Sequence, residues 1–323
     1  MKVCRIVISS LLGFCVAFTL FFGKNFIYRK AESEGAKNYK GIINVWQIDS
    51  FEGGTGSRKN FLSDVARTFE KKNDGVLVMV SSHTAESAEE SFRKGVYPDL
   101  ISYGYGVDIA GVTELKTERE FVGGKVGEKQ FAIPWCRGNY VLIENPEAKG
   151  ENTVVSESKY TLPEVCAAIN ELNLKNSVYE EPLTAYITFV GGKAKFLIGT
   201  QRDIVRLENR GFNYKATPLF KFNDLYQYIS AFNNGDEKSY FAKKYLSMLL
   251  SDETQKKLSK IRMFSCFTSV EYEGVFSEMQ KETAEKMPSL FMEKHTLNEL
   301  KTFGKNYLLG EKNEKDKIEK MLL

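Results

Sequence analysis

Histidine and cysteine, the side chains that most often carry metal or nucleophilic chemistry, are scarce in this sequence. Its 323 residues include only two histidines, His83 and His295, and five cysteines. Neither histidine accompanies the serine or cysteine signature of a hydrolase, and there is no H-E-x-x-H, G-x-S-x-G or aspartate-rich metal motif. We therefore expect no enzyme, no metal and no cofactor. A glycan hydrolase stays an alternative, because the two catalytic carboxylates of such an enzyme are close together in the folded structure but have no fixed spacing in the sequence.

The cysteines form no C-x-x-C pair, which argues against a zinc site and against a thioredoxin-type redox motif. Two of them, Cys4 and Cys15, belong to the N-terminal apolar region. The others, Cys136, Cys166 and Cys266, are widely spaced in the body of the chain. They are interpreted as buried free thiols or as at most one disulfide, and whether Cys136 pairs with Cys266 stays open.

A strong excess of one charge is also missing. The formal net charge is +3, and residues 1–30 contain five basic residues and no acid, so the rest of the chain carries a net charge of −2. A nearly neutral body offers no electrostatic footprint for nucleic acid, and we exclude that class of partner.

One long apolar run is present, at residues 6–22 behind Lys2 and Arg5. It is longer than a typical signal core and slightly short for a transmembrane helix. We predict an uncleaved N-terminal membrane anchor over residues 1–23 and a polar tether over 24–40. A cleaved signal, or lipidation at Cys15, are the alternatives. In each case the body faces the extracellular side of the cell membrane.

The tether leads into an alternation of strands and helices. A short apolar segment from Gly41 predicts a buried strand, and Phe61, Leu62, Val65 and Phe69 recur at helical spacing. Residues 76–80 predict a second strand, residues 85–94 a helix capped by Thr84, and residues 95–102 a third strand. This βαβαβ order predicts a parallel sheet with right-handed crossovers.

The second half of the chain is less regular. Residues 131–143 predict two strands broken at 134–138, a pair suited to a crossover into a second lobe. A helix is predicted to begin near Thr161, and residues 195–198 predict a strand that leads into a helix at 199–203. From Phe222 onward the spacing predicts mostly helix, and residues 311–320 predict a solvated helix.

Five short sequence segments occur in order along the chain. They are Trp46-Gln-Ile-Asp-Ser-Phe-Glu-Gly-Gly-Thr-Gly-Ser-Arg58, Tyr97-Pro-Asp-Leu-Ile-Ser102, Ile133-Pro-Trp-Cys136 with Tyr140, Gly199-Thr-Gln-Arg-Asp203 and Phe222-Asn-Asp-Leu-Tyr-Gln-Tyr228. From about Gly41 to Ser265 the chain resembles the extracellular solute-binding proteins of ABC importers, in particular the carbohydrate-binding cluster of clostridia and other Firmicutes.

The resemblance implies an α/β, two-lobed, periplasmic-binding-protein-like fold of type II, with hinge strands and a helix-rich C-terminal part. The solute-binding domain would cover residues 41–323, with lobe 1 at about 41–133 plus a later segment and lobe 2 at about 134–290. The implied function is that of an extracytoplasmic receptor, a monomer that binds a carbohydrate between its lobes and delivers it to ABC permease subunits. The alternative is a membrane-anchored ectodomain of this fold that acts as a sensor or structural partner without transport.

The loop after the first strand is the first candidate for ligand contact. Its glycines allow close approach of a ligand to the backbone, and N–H groups at a helix start favour an oxygen-rich or anionic group. Asp49 and Arg58 have the chemistry to bond sugar hydroxyls or a carboxylate. No Gly-Lys-Ser/Thr follows, so a phosphate-binding Walker loop is excluded. The candidate residues of this loop are Asp49, Gly53, Gly54, Thr55 and Arg58.

The remaining candidates supply flat apolar faces and polar partners, the two features that sugar sites combine. Trp135 is interpreted either as a sugar-stacking ring or as a core residue, and Trp46 as core. Arg202 and Asp203 are interpreted as a cap and brace of their helix. The candidates outside the first loop are Tyr103, Tyr105, Trp135, Arg137, Thr200 and Gln201.

Overall fold

The computed structural model describes residues 39–117, 121–281 and 284–322. The predicted anchor, residues 1–23, and most of the tether, residues 24–40, lie outside these ranges. Within the described part of the chain, no helix has both the length and the apolar character needed to cross a bilayer.

The N-terminal region folds as the predicted βαβαβ unit, in which the central strand pairs in parallel with the other two. A serine at position 57 caps the first helix, and Thr84 caps the second in a reciprocal capping box, as predicted. The elements are β1 (Gly41–Ile48), α1 (Arg58–Glu70), β2 (Val76–His83), α2 (Ala85–Arg93) and β3 (Leu100–Tyr103).

A short connection and a second α/β region follow. The 3₁₀ turn Val122–Gly124 precedes a hairpin whose two strands have two residues each. The elements are β4 (Lys125–Val126), β5 (Lys129–Gln130), β6 (Ile133–Arg137), β7 (Tyr140–Glu144), β8 (Asn152–Ser156), α3 (Pro163–Ile169), β9 (Lys175–Glu180), α4 (Pro182–Val190), β10 (Phe196–Thr200), α5 (Gln201–Arg210) and β11 (Lys215–Pro218).

The chain then returns to the first sheet and ends in helices. The 3₁₀ helix Lys257–Ile261 follows α7 directly. The elements are β12 (Tyr226–Ala231), α6 (Asp236–Leu249), α7 (Asp252–Lys256), α8 (Gly274–Lys281), α9 (Lys294–Leu308) and α10 (Glu314–Met321). In α10 the predicted solvated helix forms, but its Ile318 is fully buried.

Two five-stranded sheets organise the molecule, in the orders β2-β1-β3-β12-β6 and β11-β7-β10-β8-β9. The strands of the second sheet all lie between Tyr140 and Pro218. Among the described residues, the chain passes from a strand of one sheet to a strand of the other only at the connections β6–β7 and β11–β12. These connections are joined to each other where Gly138 N donates to Leu225 O at 2.7 Å and Asn223 Nδ2 donates to Gly138 O at 2.9 Å. We call the part built on each sheet a lobe.

The helix predicted from Phe222 onward is wrong at its start, because Tyr226–Ala231 form strand β12. Leu225, Tyr228 and Ile229 recur at helical spacing, but every residue of β12 is buried and no polar face exists. The strand pairs antiparallel with both β3 and β6, so two ladders of backbone hydrogen bonds outweigh the local spacing.

The three cysteines of the body are free thiols in the structure. Cys136 and Cys166 are buried, and Cys266 is half-buried. Burial raises the pKa of the Cys136 and Cys166 thiols well above the ordinary value, which keeps them protonated and unreactive.

Candidate ligand-binding cleft

The carboxyl ends of the parallel strands of both sheets meet at one cleft. Strands β1, β2 and β3 run in parallel in lobe 1, and β8 runs in parallel with β9 and β10 in lobe 2. Ligands in open α/β sheets bind outside such strand ends. The segments that follow these strands therefore form the two walls of the cleft.

The two lobes touch directly where the loop after β1 meets the start of α5, and we call this region the inner half of the cleft. The loop after β1 faces the start of α5, where Arg206 Nη1 lies 3.0 Å from Glu52 Oε2 and Arg202 Nη1 donates to Gly54 O at 2.8 Å. Thr200 caps α5, and its own N–H donates to the Asp203 carboxylate at 3.0 Å. Burial raises the pKa of Asp203 to about 6, and Arg206 holds this carboxylate from the other side at 3.2 Å.

The residues of the loop after β1 that were predicted to contact a ligand bind other protein atoms in this closed arrangement. Arg58 is buried, its Nε donates to Asp49 Oδ1 at 2.7 Å, and its guanidinium lies over the Phe51 ring at 4.3 Å. Gly54 has φ +60°, and a Cβ there would lie 1.7 Å from Ile261 O. Since only glycine fits this close approach, Gly54 fixes the loop against the 3₁₀ helix Lys257–Ile261. Gly53 and Thr55 flank it, and Thr55 N donates to Ile261 O at 2.9 Å.

The aromatic candidates lie in the core and not on the cleft wall. Trp135 is fully buried, stacks on Phe61 and donates its indole N–H to Ser102 Oγ at 2.8 Å. Tyr103 and Tyr105 are also buried, and the Tyr105 hydroxyl lies 3.1 Å from that of Tyr228. Of the two interpretations of Trp135, the structure favours the core residue. Tyr103 and Tyr105, predicted as cleft walls, are each only 1% exposed and pack in the core. Trp46 is buried, as predicted.

Arg137 and Gln201 are buried at the junction between the lobes. Arg137 Nη2 donates to Gln280 O at 2.8 Å, and its guanidinium lies 5.4 Å from the centre of the Phe264 ring. Gln201 Oε1 accepts from Asn139 N at 3.0 Å. Both side chains brace backbone segments at the crossover.

We call the rest of the cleft its outer half. It contains a cavity of about 310 Å³, which we call the cleft cavity. Residues from four separate chain segments converge on it: α2 and the loop after β3 in lobe 1, the loop after β8 in lobe 2, and helix α9. Its side-chain lining is Glu86, Glu89, Lys159, Tyr160, Leu162, Lys294, Leu297, Asn298 and Lys301. None of the eleven residues predicted from the sequence lines this cavity.

Ion pairs cross between elements around the cleft cavity. Lys159 of lobe 2 pairs with Glu86 of lobe 1 and holds the pKa of that carboxyl well below its usual range. The Tyr160 hydroxyl donates to Glu86 Oε1 at 3.2 Å, and Lys294 Nζ lies 2.7 Å from Glu89 Oε1. The cavity is therefore rimmed by charges of both signs and is nearly neutral.

The side chains of Lys301 and Asp224 hold the lobe 2 wall of the cavity in place. Lys301 Nζ donates to the backbone oxygens of Ser158 at 3.0 Å and Lys159 at 3.2 Å. On the other side, Asp224 Oδ2 accepts from Leu162 N at 2.8 Å. Asp224 lies in the β11–β12 connection, and burial raises its pKa to about 7. The cavity wall at residues 158–162 is thus tied both to α9 and to a segment that joins the lobes.

Tyr160 gives the cavity its aromatic face. The ring packs on Gly106, where a Cβ would lie 2.5 Å from Tyr160 Cδ1. Gly106 has φ +76°, which glycine adopts without strain, so the loop after β3 passes directly beneath the ring. Sequence reasoning missed Tyr160 and Glu86, although one signal was available: Glu86 follows the predicted strand at 76–80 and its helix cap, where cleft residues are expected.

No protein-family profile and no curated protein matches this sequence. Solved structures do match. Iron-bound HitA from Pseudomonas aeruginosa is 13% identical with a TM-score of 0.57, covering 81% of this chain and 99% of its own. The maltose/maltodextrin-binding domain MalE from Bdellovibrio bacteriovorus, bound to maltotriose, is 14% identical with a TM-score of 0.54, covering 86% and 97%. The ABC substrate-binding protein Lmo0181 from Listeria monocytogenes, in complex with cycloalternan, is 13% identical with a TM-score of 0.53, covering 87% and 99%.

Two of these neighbours are named as binding proteins and the third is described as iron-bound, and the likeness extends over nearly the whole length of each. At 13–14% identity such a match shows the fold alone. The predicted fold class is confirmed: the chain has the two-lobed periplasmic-binding-protein-like α/β fold.

Proposed function

We propose that this protein is an extracytoplasmic receptor of an ABC transporter that binds a carbohydrate between its lobes without chemical turnover. The observation that carries the proposal is the cleft cavity, a space of about 310 Å³ that combines apolar surface with charged side chains and to which both lobes contribute. A ligand that contacts both lobes would favour the closed arrangement over an open one. The fold shared with sugar-bound MalE and Lmo0181 supports this choice of ligand class.

The chemistry of the cavity suits a neutral, hydroxyl-rich ligand. Tyr160 and Leu297 offer apolar surfaces for the C–H faces of a sugar ring. Glu86, Glu89 and Lys294 offer acceptors and donors for hydroxyl groups, and their ion pairs leave little net charge to attract an ion. Asp49 is exposed beside the inner contacts between the lobes, and with Arg58, which it pairs with inside lobe 1, it is a further candidate for ligand contact.

The proposal includes the setting of the receptor. The protein would be a monomer held at the cell membrane through its N-terminal segment, with the lobes on the extracellular side, and would deliver its ligand to ABC permease subunits. The fold neighbours support this setting, since one is named an ABC substrate-binding protein.

A second candidate is a membrane-anchored sensor or structural partner with the same fold. One observation favours it: the inner half of the cleft is joined by protein groups alone, through Arg206 with Glu52 and Arg202 with Gly54. A closed form maintained in this way would present a fixed surface to a partner without a sugar.

Calorimetry of the full-length chain against a panel of mono- to tetrasaccharides tests the proposal. We expect saturable binding without product formation, and at least tenfold weaker binding for Tyr160→Ala. Tyr214→Ala, which removes a half-buried tyrosine outside the cleft cavity, is the matched control and should bind as the wild type does. No binding across the panel would favour the sensor, and release of reducing ends from an oligosaccharide would overturn both candidates.

A further inference from the structure

Asp224 is a buried carboxyl group at the place where the connections between the lobes meet the wall of the cleft cavity. It belongs to the β11–β12 connection and is 2% exposed. Its Oδ2 accepts from Leu162 N at 2.8 Å, and Leu162 lines the cleft cavity. Tyr140 is the first residue of β7 after the other connection, and its hydroxyl oxygen lies 3.2 Å from the same amide and bonds to the carboxyl group. Each connection therefore reaches the same point of the cavity wall.

The start of helix α3 depends on these side chains for its hydrogen bonding. Leu162 is the N-cap residue of α3, and no side-chain bond caps the helix from within. The next residue, Pro163, has no N–H, so Leu162 N is the first amide at this helix end that needs an acceptor. Asp224 supplies that acceptor from another segment of the chain. Tyr160 lies two positions before Leu162, so the same bond helps to fix the aromatic face of the cavity.

Asp224 is fixed to the other connection through its neighbours in the chain. Asn223 Nδ2 donates to Gly138 O at 2.9 Å, and Gly138 N donates to Leu225 O at 2.7 Å. Gly138 lies in the β6–β7 connection, so the two connections are bonded to each other on either side of Asp224. A change in the angle between the lobes bends these connections, and the carboxyl group moves with them.

We propose that Asp224 is a positioning residue for the ligand site, which transmits the arrangement of the lobe connections to the wall that carries Tyr160. The inference rests on the proposed function, since it assigns a ligand to the cleft cavity. In the closed form, the bond from Leu162 N to the carboxylate holds Tyr160 at the cavity. When the connections bend, this bond is lost and the aromatic face is no longer fixed. Ligand binding and lobe closure are thereby coupled through one carboxyl group.

The ionised form of Asp224 is the form that holds the wall. Burial raises the pKa of Asp224 to about 7, although its bonds to Tyr140 and Leu162 N lower it. A bond that lowers the pKa favours the ionised carboxyl group, so by linkage ionisation strengthens that bond. Oδ1 is buried and has no hydrogen-bond partner among the described residues, so a proton gained there would have no acceptor. The hold on the wall therefore weakens as the pH falls below about 7.

Other titratable and charged groups surround Asp224 on β7, α3, α9 and the loop after β3. They are Tyr105, Tyr140, Glu164, Cys166 and Lys301. Burial raises the pKa of the two phenols and of the thiol well above their ordinary values, so these groups stay neutral near pH 7. Glu164 has a pKa of about 8 and is mostly protonated below pH 7.5. Between pH 5.5 and 7.5, Asp224 is therefore the group of this cluster whose charge changes most.

Hydrogen exchange of the ligand-free, full-length chain, followed by mass spectrometry, tests the coupling. We expect the protection of residues 158–162, corrected for the intrinsic pH dependence of exchange, to rise at least about threefold from pH 5.5 to 7.5. Asp224→Asn keeps an acceptor oxygen but does not ionise, so it should lose this rise. Tyr140→Phe removes a hydroxyl group that lowers the pKa, so its rise should occur at higher pH. Glu164→Gln is the matched control and should show the wild-type profile over this range.

A second measurement uses the saccharide that binds most tightly in calorimetry. We expect its dissociation constant to fall at least about threefold from pH 5.5 to 7.5 in the wild type and in Glu164→Gln, and to lose most of this dependence in Asp224→Asn. A flat exchange profile in the wild type, or an unchanged rise in Asp224→Asn, would overturn the proposal. A pH-dependent wall with a pH-independent affinity would overturn the positioning role. If no saccharide binds, the exchange result still decides the coupling, and the carbohydrate function alone fails.

Discussion

Glu164 is a fully buried carboxyl group near the cleft wall. Neither of its carboxyl oxygens has a hydrogen-bond partner among the described residues, and burial raises its pKa to about 8. Lys301 and Lys305 lower this pKa and Glu157 raises it, but desolvation is the largest cause. Glu164 is therefore held as a neutral acid at pH 7.

This burial predicts a specific pH dependence of stability. Between the ordinary pKa of 4.5 and the folded value of about 8, the folded state keeps a proton that the unfolded state releases, so stability falls as pH rises. Glu164→Gln removes this dependence. We expect the variant to be about as stable as the wild type at pH 4.5 and roughly 2–4 kcal/mol more stable at pH 9, a part of the full linkage term. Urea denaturation at both pH values measures it, and an equal difference at both values would contradict the assignment.

Trp135 belongs to the core, so its loss should act on stability first. Truncation of a buried tryptophan costs about 3–5 kcal/mol, and here it would also leave the Ser102 hydroxyl without its indole partner. We expect Trp135→Ala to lower the free energy of unfolding by about this amount, measured by urea denaturation. Trp135→Phe, which keeps a ring against Phe61, is the control and should cost less. A Trp135→Ala protein with wild-type stability would show that the ring is not a core residue.

From residue types alone, the loop after β1 could be predicted as a candidate site. Whether an aromatic side chain such as Trp135 points into the core or towards the cleft could not be predicted in this way. Trp135 follows a proline and precedes an Arg-Gly turn, a context that suits an exposed ring and a buried one equally. Its burial depends on Phe61 of α1, 74 positions earlier in the chain. Long-range packing of this kind leaves no local signal.

At the scale of elements, the start of helix α5 is stabilised by a local capping interaction. Thr200 Oγ1 accepts from Arg202 N at 3.2 Å, and Asp203 completes the capping box. Loss of such a cap typically costs about 1 kcal/mol. We expect Thr200→Ala to lower the free energy of unfolding by about that amount and Thr200→Ser to preserve it, as measured by urea denaturation. An equal loss in both variants would indicate that the threonine methyl group, and not the cap, is what matters.

The sequence predicted elements where the polar and apolar spacing agrees with the fold, as in β1, α1, β2 and α2. It failed at β12, where both faces of the strand are buried and no alternation remains. It also missed β8, so the loop at 157–162 and its Tyr160 were not considered for the cleft. The candidate residues after β1 and β10 lie where the two lobes touch, but none of the predicted residues lines the cleft cavity, because the loop after β8 was not considered.

At the scale of the whole molecule, a small set of polar contacts joins the lobes across the cleft. Arg206 with Glu52 and Arg202 with Gly54 close the inner half, and Lys159 with Glu86 closes the outer half. Partly exposed contacts of this type contribute about 0–1 kcal/mol each. Their sum is comparable to the few kcal/mol that typically separate two conformations of a protein, so in the proposed receptor they would shift the balance between the open and closed forms.

The double variant Arg202→Ala/Arg206→Ala should therefore shift the ligand-free protein towards an open form. Loss of about 1–2 kcal/mol changes the ratio of closed to open molecules by a factor of about 5–30, because each 1.4 kcal/mol is a factor of ten. Small-angle X-ray scattering would show this as a larger radius of gyration than that of the wild type. Lys175→Ala, which removes an ion pair with Glu151 inside lobe 2, is the control and should leave the radius unchanged. If the double variant scatters as the wild type does, the lobes are held by their connecting strands and not by these contacts. A larger radius that returns to the wild-type value on addition of a bound sugar would show that ligand and protein contacts act on the same equilibrium.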